Sequence, residues 1–115
     1  MELQTVKYML WAQDMDRAVA FYRDVVGLQP GFVSPGWSEL KHGDAVVALH
    51  GGGDGSVRET GLSFQVADVE AACREVEAGG GTIRKAPQAR PGEPIKLAEV
   101  TDPEGNGVMF TQYVG

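Results

Sequence analysis

The sequence predicts an α+β fold in which one βαβββ module is written twice in tandem. Three observations point there. A strand, an aspartate, an amphipathic helix and a glycine follow one another from Lys7 to Gly27, and the series returns from Gly61 to Gly81 with Asp68 in the place of Asp14. Further strand signals, parted by turn residues, follow each helix. The 115 residues are 43% hydrophobic and 23% charged, the balance of a folded domain rather than a disordered chain.

In order, KYMLWA (7–12) alternates, with Tyr8, Leu10 and Ala12 to one side and Lys7, Met9 and Trp11 to the other. Met15, Ala18, Val19 and Tyr22 then recur at helical spacing and form the stripe of a helix lying on a sheet. Asp14 is placed to cap the free amides of the first turn, and Gly27 to supply the left-handed residue at the end. QPGFVSPG has the fewest strand signals of the set, because proline and glycine dominate it; WSELKH and AVVALH, joined by a Gly-Asp turn, read as a hairpin.

In the second unit GLSFQV (61–66) is the strand, Val69, Ala72, Cys73 and Val76 are the helix stripe, and Gly79 to Gly81 end it. TIRKA, a proline-rich loop (87–94), IKLAEVT, the turn DPEGNG and VMFTQ complete it. The modules span about 4–50 and 58–113, and GGGDGSV (51–57) reads as a flexible joint. Its glycines do not make a phosphate loop, since no helix start follows them.

The formal charge of −6 argues against a nucleic-acid partner, which needs a basic patch. No apolar run approaches a membrane span and no signal-peptide pattern opens the sequence. The single cysteine, Cys73, forms no intrachain disulfide and sits on the helix stripe, so a reducing cytoplasm is expected. His42 and His50 make no zinc signature with it.

DMDRAVAFYRDVVGL (14–28), VADVEAACREVEAGGGTI (66–83) and TDPEGNGVMF (101–110) resemble the vicinal oxygen chelate superfamily of glyoxalase I, bleomycin resistance proteins and extradiol dioxygenases. The last segment is similar to that family's Asp-Pro-Asp-Gly-Asn turn, with Glu104 in place of the second Asp. The resemblance implies curved mixed sheets that form a cup-shaped cavity, and a homodimer whose clefts combine both chains. In the metal-dependent members it places ligands at Lys7, Gly61, Ala48 and Met109. A lysine ammonium has no lone pair to give, alanine and glycine have no donor, and methionine prefers soft metals, so no metal and no cofactor are expected.

Under that resemblance, strand parity turns Lys7, Met9 and Trp11 into the cup, with Gly61, Ser63 and Gln65 from the repeat strand. Ala48 and His50 follow from one closing strand, and Gly107, Met109 and Thr111 from the other; Trp37, Glu39 and Lys41 come from WSELKH. Such a lining mixes indoles and thioethers with a few orienting polar groups, as binding clefts do. Arg90 would reach an anionic ligand if its loop overhangs the cup. The competing readings are an interface role for Trp11, a plain ion pair between Lys7 and Glu39, and a solvated strand-end His50.

The function expected is therefore metal-free binding of a small organic ligand, as in the bleomycin-resistance branch, with a drug or metabolite sequestered and antibiotic resistance as one outcome. Two alternatives stand. One is an enzyme of the same superfamily, either metal-independent with acid–base groups from Lys7, Glu39 and His50, or a metal lyase or dioxygenase with relocated ligands. The other is a non-catalytic interaction module.

Overall fold

In the computed structural model, which describes residues 1–115, module one runs β1 (Lys7–Ala12), α1 (Met15–Ala20), β2 (Gln29–Phe32), β3 (Trp37–His42) and β4 (Ala45–Gly51). Module two runs β5 (Arg58–Gln65), α2 (Val69–Ala78), β6 (Thr82–Ala89), β7 (Ile95–Thr101) and β8 (Asn106–Tyr113). The two predicted caps form: Asp14 accepts from the Arg17 amide at 3.1 Å and Asp68 from the Ala71 amide at 3.0 Å. All four stripe residues of α2 are buried. α1 continues as π-helical turns over Phe21–Val26 and stops at Gly27, whose φ is 89°. That widening brings two adjacent aromatics, Phe21 and Tyr22, into the core together, which a simple 3.6-residue stripe does not do.

The sheets are four-stranded, in the orders β1-β4-β3-β2 and β5-β8-β7-β6. In each, the strand before the helix pairs in parallel with the last strand of the module, and the remaining pairs are antiparallel hairpins. Residues of both modules enter one 18-residue core on the helix side, including Leu10, Tyr22, Leu49, Val76, Val100 and Phe110. The fold is thus α+β with two βαβββ modules, as expected, and the other face of each sheet carries no helix. No helix is long and apolar enough to cross a membrane.

Four details depart from the sequence reading. QPGF is a strand, but an exposed edge strand with a register shift, the setting in which a proline is tolerated. β6 runs through Pro87 to Ala89 with irregular register on the other edge, so the loop shortens to residues 90–94. β5 starts at Arg58, ahead of the expected Gly61. Finally, the glycine-rich segment is not a loose joint. Gly53 donates to the Ala12 carbonyl at 3.0 Å, and a Cβ there would stand 3.1 Å from the Trp11 Cβ. A Cβ on Gly105 would overlap the Ser56 carbonyl. Close approach requires glycine at Gly105 and crowds any larger residue at Gly53.

The modules are joined by the turn that precedes β8. Glu104, buried, accepts from the amides of Gln13 (2.9 Å) and Asp14 (2.8 Å) and from Arg17 Nε (2.7 Å). Asn106 accepts from the Trp11 amide at 3.2 Å and donates to the Trp11 carbonyl at 2.7 Å, replacing a strand neighbour for β1. Asp102 accepts from the Tyr22 hydroxyl at 2.5 Å and from the Asn106 side-chain amide at 2.9 Å. Burial pushes the Asp102 carboxyl up, opposed by these hydrogen bonds, and burial followed by the Asp102 charge pushes the Tyr22 hydroxyl well up. Asn106→Ala strands the Trp11 main-chain N–H and carbonyl and removes one of the two hydrogen bonds to Asp102 Oδ2, which keeps the Tyr22 hydroxyl, so urea denaturation should show a loss of about 2–3 kcal/mol; a loss below about 1 kcal/mol would mean that the Trp11 groups find other partners.

Candidate functional site

The open face of the first sheet gathers aromatic and charged side chains by strand register alone. Trp11 on β1 stands opposite His50 on β4, and His50 stands opposite Trp37 on β3. The three rings form a row, with centroids 4.7 Å apart for Trp11–His50 and 5.8 Å for Trp37–His50. His50 Nδ1 lies 2.6 Å from its neighbour's carbonyl, the Gly51 oxygen, so that nitrogen is the donor and Nε2 is left to the cleft. The guanidinium of Arg58, from β5, lies 5.8 Å from the Trp11 ring centre. Arg58 is itself held by Asp54 and the Ser56 hydroxyl, each at 3.0 Å.

One register step away, Met9, Ala48 and Glu39 form the next row. Lys7 reaches across to Glu39, with Nζ 2.8 Å from Oε2, and the Trp37 Nε1–H donates to the same oxygen at 2.7 Å. The Lys7 hydrogen bond, then that from Trp37, holds the Glu39 carboxyl below its usual value. Between Met9 and Glu39, Ala48 is fully buried although it sits on the open face. Two recesses adjoin this cluster, one of about 410 Å³ between Met9, Trp11, Arg58 and Glu59, and one of about 440 Å³ between Lys7, Phe32, Glu39 and Lys41.

Of the residues predicted to line a site, Lys7, Met9, Trp11, Trp37, Glu39 and His50 come together here. Ser63 pairs with Met109, and Gln65 with Thr111, on the corresponding face of the second sheet. Arg90 sits at the β6–β7 turn with Nε 3.1 Å from Glu93, apart from the first-sheet cluster. The sequence reading missed Arg58 and Glu59, because β5 was started too late. It also missed the ion pairs of the second face, Glu59 with Arg84 and Glu99 with Lys85 (3.0 Å). Glu39 and Glu99 are counterparts: each stands opposite the module's closing-strand position, Ala48 or Met109, and each holds a lysine. Unequal loops hide that match in the linear sequence. Cys73 is not a reactive thiol, since burial pushes it up and Glu70 and Glu77 add to the shift.

A family model described as the Glyoxalase/Bleomycin resistance protein/Dioxygenase superfamily matches residues 4–110. The chain belongs to this superfamily. Among similar solved structures is a glyoxalase/bleomycin resistance protein/dioxygenase family enzyme from Burkholderia phytofirmans PsJN, 22% identical, with a TM-score of 0.78 over 93% of this chain and 96% of that one. A superfamily member from Sphaerobacter thermophilus DSM 20745 is 21% identical, TM-score 0.78, over 96% and 98%. A glyoxalase/bleomycin resistance protein from Streptomyces sp. CB03234 is 24% identical, TM-score 0.71, over 95% and 100%. These likenesses show the shared fold. A search of the curated proteins finds no match.

The superfamily's metal positions, carried over by resemblance, do not fit a divalent ion in this chain. The Lys7 ammonium is committed to Glu39, Ala48 is sealed from solvent, Gly61 has no side chain, and Met109 offers a thioether. Nowhere do three His, Cys, Asp or Glu side chains come together as a metal-holding group.

The Glu39 shift fixes a sign for pH. A carboxyl lowered in the folded state contributes its stabilisation above the unfolded value of 4.5 and loses it as pH falls through the lower folded value. In an NMR titration of a His50→Gln background, which removes the imidazole beside Trp37, the Trp37 Nε1–H resonance should therefore hold steady from neutral pH to 4.5 and move only below it. Glu39→Gln should abolish that transition; movement centred above 4.5 in this background would contradict the ion-pair geometry.

Proposed function

We propose that this chain is a metal-independent small-molecule-binding protein that holds a planar organic ligand on the open face of its first sheet. The observation that carries the reading is the Trp11–His50–Trp37 row beside the Lys7–Glu39 pair, built around an Ala48 that has no donor and no exposure. Indole faces offer stacking area, the His50 ring offers one free nitrogen, and Glu39 and Lys7 offer one charge of each sign. Sequestration of a drug or metabolite is the activity that such a site supports, and the superfamily resemblance adds a second copy of the chain to close the cleft. A Schiff-base or general-base role for Lys7 is less well supported. Its side chain is 43% exposed and its ammonium is occupied by a carboxylate, the opposite of the desolvated amine that such chemistry uses.

Native mass spectrometry on untagged protein, prepared without chelators or added metal, tests this directly. A dimer without divalent metal and with an organic adduct is the expected result. One divalent ion per chain would overturn the metal-independent reading. For a retained adduct, Trp11→Ala should weaken binding by about tenfold, or 1.4 kcal/mol, and Lys7→Ala by less. Catalytic turnover of that molecule, lost in Lys7→Ala, would replace binding by enzymatic activity.

A further inference from the structure

A further recess opens on the helix side of the sheets, at the end of the seam where β1 begins and β5 ends. Its volume is about 560 Å³, and Tyr8, Val26, Val47, Leu62, Phe64 and Val66 wall it. That size falls in the roughly 300–1,000 Å³ range of small-molecule pockets. The back wall rests on the aromatic core, with Phe64 5.4 Å from Phe110 and 6.4 Å from Tyr22 between ring centres. Tyr8 shares the core face of β1 with Leu10 and Ala12, each 1% exposed, yet is itself 37% exposed because it stands in this recess.

A polar recess, lined by Arg23, Gln29 and Lys41, shares Gly27, Leu28 and His42 with the apolar one. Lys7, Lys85 and Lys96 each hold a carboxylate; Lys41 alone among the lysines has none within ion-pair distance. Arg23 uses Nε and Nη2 on Asp24, which leaves Nη1 free. Asp44 lines the apolar recess but not the polar one, so a carboxylate is repelled less at the Lys41 and Arg23 end.

We propose that this double recess binds an amphipathic carboxylate, its apolar tail between the modules and its carboxylate at Lys41 and Arg23. Charge complementarity selects the acid over a neutral analogue, because a carboxylate makes charge-assisted hydrogen bonds that an alcohol does not. The site shares Lys41 with the 440 Å³ recess beside the open-face cluster but none of the Trp11, His50 and Trp37 rings, and it does not depend on the function proposed for them.

The test titrates dodecanoate, below its micelle concentration, into the full chain carrying labelled Ala, Leu, Val and Met methyl groups. Saturable one-to-one binding that shifts the Leu62, Val47 and Val66 methyls is expected, with 1-dodecanol weaker by about tenfold. Lys41→Glu should weaken the acid by about tenfold and leave the alcohol unchanged; Trp11→Ala should leave both unchanged. Lys41 is exposed, so its variant tests the site rather than folding. Absence of saturable binding, equal affinity for acid and alcohol, or shifts confined to Met9 and Ala48 on the open face would each overturn the proposal. So would recess methyl shifts that follow protein concentration without added acid, since they would assign the recess to a second copy of the chain.

Discussion

Asp102, Glu104 and Asn106 put two carboxylates and an amide into the interior within a single turn, each at most 3% exposed. Burial of such groups is costly unless their oxygens and nitrogens are paired. Here they are, and no buried side-chain nitrogen or oxygen lacks a partner. The partners belong largely to module one: the main chain of Trp11, the two amides ahead of α1, Arg17 and the Tyr22 hydroxyl. Moving one module against the other would expose or strand every one of these groups. The end of β1 is thereby fixed against the start of β8, and Trp11 beside Arg58.

Glu104 shows how one extra methylene is used. It stands where the resembled family turn has the shorter Asp, and its carboxylate reaches two amides ahead of α1 while also meeting Arg17. An anion at that helix start is favoured by the local peptide dipoles, and a hydrogen bond to Glu104 holds the Arg17 guanidinium firmly charged. The turn acts as both anchor and cap, which is why it can join two modules whose sheets share no strand ladder.

The open face follows a different logic. The two modules differ there, whereas their helix caps Asp14 and Asp68 match. Module one carries two indoles, an imidazole and one ion pair; module two carries two ion pairs and few aromatics. The small Ala48 lets Lys7 and Glu39 meet diagonally over it.

The sequence by itself determined the duplicated βαβββ plan, the caps Asp14 and Asp68, the buried stripe of α2 and the side of β1 on which Lys7, Met9 and Trp11 lie. Each of these is local: a cap needs one side chain and the next turn, and strand parity needs only alternation. Tertiary structure decided what local rules do not carry. The π-helical turn at Phe21 and Tyr22 answers to the shared core, and Tyr8 leaves the core although its parity assigns it there. Gly53, read as part of a flexible joint, proves to be a point of contact, because the crowding around it comes from Trp11 and Ala12, which are distant in sequence. Arg58 over Trp11, Lys41 beside an apolar recess and the sealing of Ala48 likewise arise from side chains that meet only after two modules pack.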